Sequence, residues 1–133
     1  MISRRLTSPN FNERRDGQKP CMIILHYTGT PTAQEAEAIY LTPEQVSPHY
    51  MIDGDGLITQ FVDDGKRAWH AGVSSWAGFT DINSASIGIE IWNTGHEYEL
   101  EDFREAQIAA LVPLLQDLKQ RHDIPDYHIL GLS

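Results

Sequence analysis

Ile23-Ile24-Leu25-His26-Tyr27-Thr28, continued by Gly29-Thr30-Pro31, is the stretch on which the fold of this chain turns. A short apolar run closed by turn residues predicts a buried strand from about Met22 to Tyr27. Its histidine stands at the strand end, where the following turn leaves room for a ligand. Neutral imidazole is a common metal ligand and also an acid or base near neutral pH. On the residue alone, a structural and a functional histidine are both open.

Downstream of this strand, Thr32-Ala33-Gln34-Glu35 has the capping-box pattern of a helix start, with Ala36, Ile39 and Tyr40 as its apolar stripe. His49-Tyr50-Met51-Ile52 and Leu57-Ile58-Thr59-Gln60-Phe61-Val62 flank Asp53-Gly54-Asp55-Gly56 and predict a β-hairpin. The acidic turn lacks the distal glutamate of a calcium loop and reads as solvated. Ser86-Ile87-Gly88-Ile89-Glu90-Ile91-Trp92 predicts another strand, with one carboxylate inside an apolar run. Asp102 to about Arg121 predicts a long amphipathic helix, kinked at Pro113. Its expected buried face is Phe103, Ala106, Ala110, Leu111, Leu114, Leu115 and Leu118. His128-Ile129-Leu130-Gly131 predicts a last strand.

Upstream, residues 1–20 are polar and turn-rich and predict an extended lead-in, with Arg4, Arg5, Arg14 and Arg15 in solvent. Strands at both ends with helices between them predict a mixed α/β layer fold. At 133 residues, 41% hydrophobic and 22% charged, the chain is sized for a single domain over 1–133.

A formal charge of -9 argues against nucleic acid as a partner, because a phosphate backbone demands clustered Lys and Arg. No apolar run is long enough for a membrane span. Met1-Ile2-Ser3-Arg4-Arg5-Leu6 has positive charge but no apolar stretch after it, so it does not read as a signal peptide. The lone Cys21 excludes an internal disulfide and fits a reducing compartment, so a cytoplasmic location is expected, although a mature secreted form with its leader removed would read the same.

Glu90 raises the chemical question. A carboxylate in a central strand is costly to bury as a charge, so it pairs, takes up a proton, or faces a polar cavity. A salt-bridged structural glutamate and a general acid or base are both open. Trp69-His70-Ala71-Gly72, followed by Ser74-Ser75-Trp76-Ala77-Gly78, reads equally as a packed loop anchor or as a cleft wall.

Four segments then occur in a telling order: Ile23 to Thr28, Val46-Ser47-Pro48-His49-Tyr50-Met51-Ile52, Ala68-Trp69-His70-Ala71-Gly72, and Asn83-x-x-Ser86-Ile87-Gly88-Ile89-Glu90. In this order and spacing the chain resembles the zinc-dependent N-acetylmuramoyl-L-alanine amidases of the AmpD type. These are related to phage lysozyme-like amidases and peptidoglycan recognition proteins. The resemblance covers nearly the whole chain after the lead-in. It implies a mixed central β-sheet flanked by helices, with zinc at one end of a groove that binds muropeptides. The implied reaction is hydrolysis of the amide between N-acetylmuramic acid and L-alanine by a zinc-activated water. By motif, His26 matches the first zinc ligand and Glu90 the glutamate that handles the proton of that water. Trp69, His70 and Tyr27 are expected to line the substrate groove. His49 matches a supporting position and not a ligand. Pro48 stands where the phage and recognition-protein branches carry a catalytic tyrosine, so that role does not transfer.

The end of the sequence departs from this pattern. The family places a second zinc histidine in a Gly-His-Ser step, then an aspartate ligand in a loop with a catalytic lysine. This chain reads Gly131-Leu132-Ser133, and leucine has no lone pair for a metal. A catalytic zinc site takes three protein ligands with one position open. His128, four positions from the expected ligand, reads as a packed or surface histidine. The chain therefore reads as a C-terminally shortened amidase, expected to be inactive or nearly so by itself. The alternative is a muropeptide-binding module without catalysis. An unrelated α/β protein would leave His26, His70 and Glu90 facing no common groove.

Overall fold

The computed structural model describes residues 1–72, 78–93 and 103–131. The apolar stretch quoted first is β3 (Met22–Tyr27), an interior strand of a six-stranded sheet. The other strands of that sheet are β1 (Arg4–Arg5), β4 (Tyr50–Ile52), β5 (Ile58–Gln60), β7 (Ser86–Ile91) and β8 (Ile129–Gly131). Their order is β1-β5-β4-β7-β3-β8. β3 runs parallel to both β7 and β8, β4 is parallel to β7, and β4 and β5 form the antiparallel hairpin. The sheet is thus mixed, as the resemblance implied.

β3 and β7 are covered on both faces, which is why they read as near-continuous apolar runs. Alternate residues divide between two layers. Ile23, Ile87, Ile89, Tyr50 and Ile52 pack with Leu111, Leu114 and Leu118 of α3 (Glu105–His122). On the opposite face, Met22 and Ile24 meet Ile82 and Ala85 of the short α2 (Ile82–Ala85). Met51 packs there too, with Ala36 and Tyr40 of α1 (Ala33–Leu41).

Local signals hold where they were read. Thr32 caps α1, its hydroxyl accepting the Glu35 amide at 3.2 Å. In the hairpin turn the Asp53 carboxylate accepts the amides of Asp55 and Leu57, each at 2.9 Å, and Gly56 supplies a φ of 84°. α3 continues unbroken through Pro113. It begins at Glu105, later than the sequence pattern suggested, and Asp102 lies outside the described residues. Phe103 therefore precedes the helix, and both Phe103 and Ala106 are exposed rather than buried. Gln107 takes the inner position of the first turn, because its amide donates to the Trp92 carbonyl at 2.7 Å and accepts from the Arg104 amide at 3.0 Å.

The expected lead-in is instead built into the fold. β1 adds an edge strand beside β5, and β2 (Phe11–Glu13) pairs antiparallel with β6 (Lys66–Ala68). Arg4, Arg5 and Arg15 are exposed, but Arg14 is only 8% exposed. Its guanidinium donates to the carbonyls of Ser84, Ser86 and Asp64 at 2.8, 3.0 and 2.6 Å. Burial lowers its pKa to about 10, so it stays charged at neutral pH. A planar fork of five donors lets one side chain satisfy several buried carbonyls. Among the described residues no helix is long and apolar enough to cross a membrane.

Candidate active site

The register of β3 against β7 sets out the site. Met22 pairs with Ser86, Ile24 with Gly88 and His26 with Glu90. Register partners in a parallel pair point to the same face, and residues two apart on one strand share it. Ser86, Gly88 and Glu90 therefore form one column on β7, with His26 beside its outer end.

His70 enters this face from the loop after β6. The loop is fixed through its backbone: the Asn83 side-chain oxygen accepts the amides of His70 and Ala71 at 3.1 and 2.9 Å. The Ser47 hydroxyl accepts the amide of Trp69 at 3.1 Å. The His70 ring lies directly over Gly88, where an added Cβ would come within 2.4 Å of it. The absence of a side chain at Gly88 is what admits the imidazole. His70 Nδ1 is 3.0 Å from His26 Nε2, and His70 Nε2 is 3.0 Å from Ser86 Oγ.

His49 lies behind this pair, fully buried, with its ring centroid 6.0 Å from that of His70. The Gly88 amide donates to His49 Nδ1 at 3.1 Å. His49 Nε2 therefore carries the proton and donates to the Lys66 carbonyl at 2.8 Å. Both nitrogens are used by the backbone, which makes His49 a strut between β7 and β6.

Burial sets the protonation states. It lowers the pKa of His26 and of His49 to about 4. It also lowers that of His70, helped by His49 and His26 close by. Burial raises the Glu90 carboxyl to about 8. Glu90 Oε2 is buried and has no hydrogen-bond partner among the described residues. At neutral pH the site is thus a cluster of uncharged imidazoles beside a carboxyl that changes protonation close to that pH.

The structure brings His26, His70 and Glu90 to one face, as a common groove requires. The other two expected groove residues each adjoin one of these histidines in sequence. Tyr27 follows His26 directly and pairs with Ile91, and it lines a cavity together with His26, Leu25, Ile91 and Leu111. Trp69 is part-buried and tied to the N-terminal arm, its indole N–H donating to the Asn12 side chain at 3.2 Å. His128 is part-buried and donates through Nδ1 to the Cys21 carbonyl at 2.6 Å, so it is packed. Ser86, Gly88 and Asn83 were quoted as motif letters, but their contribution went unread. A period of two along Ser-x-Gly-x-Glu was the available signal for the first two.

His26 Nδ1 has no partner among the described residues and is a ready metal donor. Yet no group of three His, Cys, Asp or Glu able to hold a metal ion occurs among the described residues. They fall short of the three ligands of a catalytic zinc site. Leu132, which stands at the expected second ligand, and residues 74–77 lie outside the described residues.

The signature of the N-acetylmuramoyl-L-alanine amidase family matches residues 16–132. The chain is similar to the 1,6-anhydro-N-acetylmuramyl-L-alanine amidase AmpD of Salmonella typhimurium, 36% identical over 134 residues, with 85% of this chain and 70% of that protein covered. It is also similar to the N-acetylmuramoyl-L-alanine amidase AmiD of Escherichia coli, 35% identical over 122 residues, with 83% of this chain and 44% of AmiD covered. The crystal structure of a selenomethionine AmpD derivative superposes with a TM-score of 0.78 at 30% identity, covering 96% of this chain and 79% of that one. The complex of E. coli AmiD with the substrate anhydro-N-acetylmuramic acid-L-Ala-D-γ-Glu-L-Lys superposes with a TM-score of 0.74 at 32% identity, covering 90% of this chain and 51% of that one. The chain therefore spans 70% of the length of AmpD and less than half of AmiD. The relatives are named as amidases, which does not favour the module without catalysis. With the family match running from Asp16 through β3, β7 and β8, the chain belongs to the N-acetylmuramoyl-L-alanine amidase family.

Proposed function

We propose that the protein acts on the amide bond between N-acetylmuramic acid and L-alanine in peptidoglycan fragments, with muropeptides as its partners. The observation that carries this is the pairing of His26 with Glu90 on one face, in a chain of amidase-family sequence. Glu90 is the residue to handle the proton of an attacking water. A carboxyl held near pH 8 gives up and regains a proton close to neutrality, which suits both halves of an amide hydrolysis. Trp69 belongs to the same proposal as a wall of the groove. Zinc remains the cofactor that the resemblance implies, with His26 as the ligand this chain offers. Because the described residues hold no three-ligand group, no step is routed through the metal. A polypeptide of these 133 residues is expected to bind zinc weakly and to turn over little. A cytoplasmic place of action belongs to the proposal, supported by the unpaired Cys21.

The test is mass-spectrometric detection of peptide released from an anhydro-muropeptide, run together with metal analysis of the purified protein. Slow release that is abolished by Glu90→Gln supports the proposal. Tight binding with no release, indifferent to chelators, would replace it with the binding module. Stoichiometric zinc with rapid turnover would overturn the ligand argument.

A further inference from the structure

We propose that His70 is a positioning residue: it bridges Ser86 to His26, engages His26 through Nε2, and so leaves Nδ1 as the His26 nitrogen free to meet a ligand. A histidine that contacts substrate keeps a ring nitrogen for it. His70 keeps none, since Nδ1 faces His26 at 3.0 Å and Nε2 faces Ser86 Oγ at 3.0 Å. The placement is enforced from below by Gly88, whose missing side chain is the space the ring fills. It is enforced from the side by Asn83, which holds the backbone of His70 and Ala71. The two imidazoles meet edge to face, with an interplanar angle of 73°, so one N–H proton lies between two nitrogens and fixes the rotation of the His26 ring about its side-chain bonds. Among the described residues, His26 makes no other side-chain hydrogen bond to hold its orientation. Pre-set orientation of a reacting or ligating group is worth far more in rate than the hydrogen bond itself is in stability.

The importance of His26 rests on the amidase proposal, but the bridge does not, so its test uses no muropeptide. In protein labelled with nitrogen-15 at histidine, a scalar coupling across an N–H···N bond between His26 Nε2 and His70 Nδ1 is expected. His70→Ala is expected to abolish it and to move the His26 ring nitrogens toward the averaged shifts of a mobile imidazole. His70→Asn, whose side-chain oxygen can accept near the Nδ1 position, is expected to return His26 Nε2 toward its parental shift. His70→Gln, whose amide sits near Nε2, is expected to fail. Equal His26 shifts in the parent and in His70→Ala, or equal rescue by Asn and Gln, would overturn the proposal. Absence of the coupling in the unsubstituted protein would overturn it without any variant.

Discussion

His26 and Glu90 are direct cross-strand neighbours, the last pair but one in the parallel register of β3 with β7. Neighbouring strands lie about 4.8 Å apart, so an imidazole and a carboxyl on two rigid strands face one space without help from any loop. The carboxyl is the less comfortable partner: its Oε2 is buried and has no hydrogen bond among the described residues.

That discomfort gives a pH dependence of defined sign. Burial raises the Glu90 pKa from 4.5 in the unfolded chain to about 8 in the fold. Below pH 4.5 both states are protonated and stability is full; between 4.5 and 8 the unfolded state ionises first, so stability falls as pH rises. The loss is about 2 kcal/mol, below the full linkage value because the residue is only part-buried. Urea denaturation across this range should show the decline in the parent and a flatter profile in Glu90→Gln. An unchanged profile would mean that Glu90 is solvated or paired.

His49 contributes with the opposite sign. Its pKa falls from 6.5 to about 4 on folding, so the unfolded state takes up a proton first as pH drops between those values. Stability from this group is present above pH 6.5 and is lost on acidification toward 4, by about 3 kcal/mol for a residue with no exposed surface. His49→Asn, which keeps an acceptor near the Nδ1 position for the Gly88 amide, should lower stability at neutral pH and make the acid limb shallower. Denaturation midpoints at pH 7 and pH 4.5 check both statements.

Gly88→Ala should be costly for a reason unconnected with backbone freedom. The added methyl meets the His70 ring at 2.4 Å. An overpacked core position costs about 1–3 kcal/mol. In a His70→Ala background the clash is gone, so the same substitution should cost less than half as much. A double-mutant cycle by thermal or urea unfolding measures this. Additive effects would place the ring elsewhere.

Arg14→Met should loosen the N-terminal arm. It retains the aliphatic stem but strands the buried carbonyls of Ser84, Ser86 and Asp64. Leaving such acceptors unpaired costs about 2–4 kcal/mol in total. Limited proteolysis should cut residues 1–20 sooner in this variant than in Arg5→Met, whose parent residue is exposed.

Much of the architecture was written locally. β3 is a run of apolar residues stopped by a turn, and the Thr32 cap and the Asp53–Gly56 turn lie in a few letters each. These features depend on neighbours in sequence, so period and turn chemistry expose them. The edge strands of the arm escaped notice because two or three residues carry no period. The start of α3 was misplaced because Gln107, a polar residue, occupies an inner position by bonding the Trp92 carbonyl, which no apolar stripe announces.

The sequence by itself settled the interior strands, the hairpin, the long helix and, through motif order, the family. It named His26 and Glu90 as the pair to watch. Only the tertiary structure decided that they stand in register and that His70 spends both ring nitrogens inside the protein. Arg14 was decided there too, as a buried clamp rather than a solvated charge. The division has one physical cause. Alternation and capping act over a few residues, whereas strand register and side-chain pairing are fixed when distant segments bury their faces together.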